Sequence, residues 1–141
     1  MSNDKLASTP EQASDIKSPL SNTEAVQTTH QEARRELALF LDALGMQQRV
    51  SIDQLAFLLE HLIKEQTASD AAMIRDQMRA EHWEKNLSEG ESLIEIAQRA
   101  AAYLATAEGI RLFNFFVKIF ARTTPVMFLR ELSLDGALPP R

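Results

Sequence analysis

The chain has 141 residues, a net charge of −5 and no cysteine, which removes disulfide frameworks, thiolate zinc sites and cysteine nucleophiles together. That length fits one domain able to bury a core without covalent or metal staples. Charge is uneven: residues 1–28 sum to −2, residues 29–109 to −6 (eight cations, fourteen anions) and residues 110–141 to +3 (five cations, two anions), and so acidic a body argues against broad nucleic-acid binding, which rests on phosphate neutralisation.

Residues 1–22 mix Ser, Thr, Pro, Asn and charge with scattered apolar residues, a composition that does not offset the entropy of ordering. A disordered tail is expected there, either a tether or a segment that docks through Ile16 and Leu20. Residues 1–20 contain no apolar run of the secretory kind, and a cytoplasmic protein is the expectation.

Helical patterning begins at about Thr23. Ala33, Leu37, Phe40, Leu41 and Leu44 recur at helical spacing, and Gly45 stands where a left-handed cap would end the helix. Ser51 and Gln54 match a capping box. The helix they open carries Ile52, Leu55, Ala56, Leu59, Leu62 and Ile63 on a broad face that Phe57 and Leu58 widen. Thr67 to Ser69 interrupts it, and Ser69 is expected to cap a further helix from Asp70 to about Leu87.

That helix has two thin apolar edges. Ala71, Ile74 and Met78 form one; Met73, Ala80, Trp83 and Leu87 form the other, with charge between them. One edge is enough for docking on the body. The edge of Met73, Ala80, Trp83 and Leu87 is therefore the candidate partner-binding surface, tryptophan being enriched among interface hot spots; the alternative is that Trp83 folds over the end of the core.

From Ser92 to Ala107 the inward face is small, with alanines at 97, 100, 101 and 105. Close approach by the following helix, as an antiparallel hairpin, is expected. This next helix, Ile110 to Phe120, holds four of the seven phenylalanines. Arg111, Asn114, Lys118 and Arg122 draw one narrow polar line along it, and apolar residues cover the rest. So apolar a helix is expected at the centre of the core, wrapped by the other helices or completed by a partner or a membrane surface. Whether the basic residues Arg111, Lys118 and Arg122 face a ligand or solvent stays open. Pro125 starts a last short helix to about Leu132, and residues 136–141 are expected to be flexible. The fold expected is all-α, a compact bundle of five to six helices over residues 23–135.

His30, His61 and His82 have none of the spacings of familiar metal sites. There is no G-x-S-x-G motif and no glycine-rich phosphate loop. No catalytic residue, metal or cofactor is expected. The function expected is that of a small cytosolic helical protein that binds another macromolecule, as an adaptor, accessory or regulatory subunit, with a protein partner or a second copy of itself.

A helix-turn-helix regulator is the alternative. Residues 52–66, a three-residue turn and residues 70–87 have suitable lengths, and Arg75, Gln77, Arg79 and His82 would meet the bases, against the charges of Asp70, Asp76, Glu81 and Glu84. The eleven-residue run from Ile110 to Phe120 falls short of the roughly 20 residues a membrane span needs. Peripheral membrane contact is compatible with its pattern.

Overall fold

Ser51, Asp70, Ser92, Thr106 and Thr124 each turn a side-chain oxygen onto backbone N–H groups two or three residues ahead, and a helix opens after each. These oxygens satisfy donors that a helix start otherwise leaves unpaired. The computed structural model describes residues 19–46, 50–66 and 69–132. Among these residues six α-helices form, α1 (Pro19–Leu44), α2 (Ile52–Glu65), α3 (Ala71–Ala80), α4 (Leu93–Leu104), α5 (Ala107–Phe120) and α6 (Pro125–Glu131), with a 3₁₀ turn at Trp83–Asn86. The fold is an all-α bundle, with no strand among the described residues.

Helix α1 begins at Pro19, so residues 19–22 are helical rather than part of a tail. Residues 1–18 and 136–141, expected to be disordered and flexible, lie outside the described residues. The chain divides into two compact units, Met1–Arg34 and Arg35–Arg141, at a point inside α1. In the first unit the described backbone is the helical stretch 19–34. The second unit holds the remainder of α1 and every other element.

In the second unit Leu37, Phe40, Leu41 and Leu44 of α1 are buried. The helix ends as its glycine predicts. Gly45 has φ +76° and donates to the Asp42 carbonyl at 2.9 Å, while Met46 donates to the Leu41 carbonyl at 3.1 Å. This pair of bonds is the Schellman cap, and the buried Met46 supplies its apolar anchor. Arg99 of α4 donates from Nε and Nη2 to the Leu44 carbonyl at 3.2 and 3.1 Å, tying the same terminus to another helix.

Helix α4 packs most extensively on α3, not on the phenylalanine-rich helix that its alanines were expected to receive. Ala97 and Ala100 are fully buried, as are Ile74 and Met78 of α3; small side chains on one helix let the other lie close. Helices α4 and α5 do touch, across the link Ala105–Thr106, less extensively and with a close approach at Gly109. Gly109 sits inside α5, where its N–H reaches Thr106 Oγ1 at 3.1 Å. A Cβ there would overlap the carbonyl oxygen of Tyr103 and the Cα of Leu104. This glycine therefore does not end a helix; it lets α5 start against the end of α4.

Helix α3 stops at Ala80, seven residues before the expected end at Leu87. His82 takes φ +60°, and the chain turns into Trp83–Asn86. The cause lies in α2. Gln54 Nε2 donates to the carbonyls of Glu81 and His82 at 3.0 and 3.3 Å, and the His82 carbonyl also accepts the Lys85 N–H at 3.2 Å in the tighter 3₁₀ turn.

Candidate functional site

Helix α5 buries only Gly109, Leu112 and Phe116, a stripe one residue wide per turn. Its other apolar residues do not find the cover that so apolar a helix was expected to have. Phe113, Phe115, Ile119 and Phe120 are half-buried, while Ile110 is 52% and Val117 37% exposed. The helix lies at the edge of the core rather than at its centre. Phe116 anchors it through ring contacts with Phe120 and Phe128, centroids 5.3 and 6.3 Å apart, in the range where aromatic pairs attract beyond their burial.

Ile110, Phe113, Val117 and Phe120 follow one another at steps of three, four and three, so they form a single strip along one flank of α5. At its C-terminal end the strip enters a cleft of about 470 Å³. Ile63, Phe120 and Pro125 give the cleft apolar lining; Glu60, Lys64 and Arg122 give it charge, and Thr123 and Thr124 complete the wall. Asp53, Phe57, Glu60 and Lys64 share one exposed face of α2, of which Glu60 and Lys64 line the cleft.

The polar line of α5 resolves into two parts. Arg111 Nε donates to Glu36 Oε2 at 2.7 Å, and Glu36 is only 3% exposed. The contact with that carboxylate holds the guanidinium's pKa above its usual value. Asn114, Lys118 and Arg122 are exposed. Burial pushes the nearby Tyr103 phenol up from its ordinary pKa of 10.0, with the Glu36 charge adding to the rise and Arg111 opposing it. Glu36 Oε1 and Tyr103 Oη are both buried without a hydrogen-bond partner among the described residues.

The expected partner-binding edge does not assemble. Because α3 ends at Ala80, Trp83 and Leu87 are not on one helix wheel with Met73 and Ala80. Trp83 is fully buried, Met73 and Leu87 are half-buried, and only Ala80 is exposed. The tryptophan is a core residue, and the charged helix does not end in an apolar hot spot.

The helix-turn-helix residues fare similarly. The second helix has ten residues, and the link between it and α2 runs from Gln66 to Asp70, longer than the three residues expected. Arg75 pairs with its neighbour Asp76 at 3.0 Å and Arg79 with Glu84 at 3.6 Å, so both cations meet carboxylates of the same segment. Gln77 is half-buried, and His82 is exposed but off the helix, in the left-handed turn.

No family model, curated protein or solved structure matches this chain. Any functional reading therefore rests on its own residues. Among the described residues no three His, Asp or Glu side chains gather as a metal site. No single helix among them is long and apolar enough to cross a membrane; α5 and α6 reach that composition only as a pair, bent by 98°.

The strip on α5 is the feature that the sequence hides. A helix apolar on nearly all sides reads as core, and exposure of one flank is decided by how many neighbours surround it. The 3-4-3 spacing of Ile110, Phe113, Val117 and Phe120 was the available signal.

Proposed function

We propose that this chain acts by binding another macromolecule, as an adaptor, accessory or regulatory subunit, and that α5 carries the contact. The supporting observation is the half-covered flank of α5, with Ile110 and Val117 exposed beside Phe113 and Phe120. Full burial of such a side chain is worth about 1.5–3 kcal/mol. Four partly open ones leave several kcal/mol, in order of magnitude, for a partner to recover. Contiguous apolar surface of this kind marks interaction sites more often than isolated exposed residues do.

The test is photo-crosslinking in the native host, with a benzophenone amino acid at position 110 or 117 of the full chain and, as control, at Ala102, exposed on α4. A discrete adduct with a protein from positions 110 and 117, absent from position 102, is the expected result. Equal adducts from all three positions, or none from 110 and 117, would overturn the proposal.

A further inference from the structure

We infer that the occupant of the α5 flank is an acidic amphipathic α-helix of a protein partner, laid along Ile110, Phe113, Val117 and Phe120 with carboxylates over the cleft at its end. The inference rests on the proposed binding function and adds the chemistry of the partner. Two observations carry it.

The first is spacing. Steps of three, four and three are those of a seam that a second helix fills with side chains at matching intervals. A lipid surface asks for something different, a wide apolar arc at the outermost side of the helix with cations at its borders. Here Asn114 and Lys118 occupy the outermost line and are exposed, and the apolar strip lies to one side, leading into a cleft walled by α2. A rod fits that flank better than a plane does.

The second is charge. Lys64, Lys118 and Arg122 stand at the C-terminal end of the strip, and none has an ion-pair partner among the described residues. Glu60 is the one anion lining the cleft. The cleft itself thus carries two cations, Lys64 and Arg122, against one anion, in a chain of net charge −5. Complementary charge sets orientation and rejects like-charged partners.

The experiment is selection from a displayed library of helical peptides, binding to the full chain and depleted against its Val117→Asp variant. Four seam positions in the library are fixed as apolar and the flanking positions are random among Glu, Lys, Gln and Ser. The expected outcome is enrichment of Glu at the flanks of one end, at least about fivefold over Lys, reversed to Lys against a Lys64→Glu, Arg122→Glu double variant. Enrichment without charge bias would overturn the acidic assignment. No enrichment over Val117→Asp, alongside specific host adducts from position 117, would overturn the helical occupant and leave the binding function standing. Loss of the adducts as well would remove both. Two further results also overturn it: flotation of the chain, but not of Val117→Asp, with phosphatidylserine vesicles, which would assign a membrane, and a light-scattering dimer dissolved by Val117→Asp, which would assign a second copy.

Discussion

Asn86 donates its side-chain amide to Gln54 Oε1 at 2.8 Å, across 32 positions of sequence. The same oxygen accepts the Ser51 N–H at 3.1 Å, completing the capping box of α2, and the amide nitrogen reaches the carbonyls of Glu81 and His82. One side chain thus caps one helix and fixes where another ends. The left-handed His82 is disfavoured by about 1–2 kcal/mol for a residue with a Cβ, and these bonds hold the turn that places Trp83 inside.

Gln54→Leu should therefore cost about 3 kcal/mol, because the bonds from Ser51 N–H and Asn86 and those to the carbonyls of Glu81 and His82 are lost together, at roughly 0.5–1.5 kcal/mol for each bond. Urea unfolding followed by the fluorescence of the chain's single tryptophan measures it. A loss below about 1 kcal/mol would show that the junction is held by packing alone.

Trp83 itself should emit in the blue in the isolated protein, since it is fully buried. Trp83→Ala is expected to lose about 3–5 kcal/mol, as large aromatic truncations in cores do. A red-shifted emission from the folded monomer would contradict this burial.

Adjacent residues of α5 should behave oppositely. Phe116 is fully buried and Val117 37% exposed, so Phe116→Ala should cost about 3–5 kcal/mol and Val117→Ala less than about 1 kcal/mol. Denaturant midpoints of the two variants decide it. Equal losses would mean that both flanks of the helix are covered.

Gly109→Ala runs against propensity. Replacing a helical glycine by alanine ordinarily gains up to about 1 kcal/mol. Here the added methyl meets the Tyr103 carbonyl and the Leu104 backbone, which cannot rotate away as a side chain can. A net loss of about 2 kcal/mol or more is expected, within the range of overpacking. A gain in thermal midpoint would show that α4 and α5 are free to separate.

The phenol of Tyr103, the chain's single tyrosine, has a pKa raised above 10.0, first by burial and then by Glu36. Above pH 10 the unfolded chain releases this proton while the folded chain retains it. Its contribution to stability is therefore complete below pH 10 and lost as pH rises through the higher folded value. Ultraviolet titration of the phenolate should give an inflection above 10, and Glu36→Gln should move it back down. An inflection unchanged by that substitution would exclude the charge coupling.

The sequence by itself determined that the chain is helical and set several of its boundaries, because capping and periodicity are local; α3 is the exception, capped by Asp70 where Ser69 was expected. Ser51 with Gln54, Ser92, Pro125 and Gly45 needed nothing beyond their neighbours to set a boundary, and the structure places a cap or turn at each. Tertiary structure decided where α3 ends and which faces stay covered. The end of α3 depends on an amide from α2, and the place of Gly109 on the end of α4; neither partner is visible in a window of sequence. The phenylalanine-rich helix shows the same limit most clearly. Its composition says that nearly every side prefers an apolar neighbour, but the number of neighbours is a property of the assembled bundle, and this one covers a single stripe. Trp83 is the converse: the helix wheel left it either on a partner surface or folded over the end of the core, and it lies inside once Gln54 closes the junction.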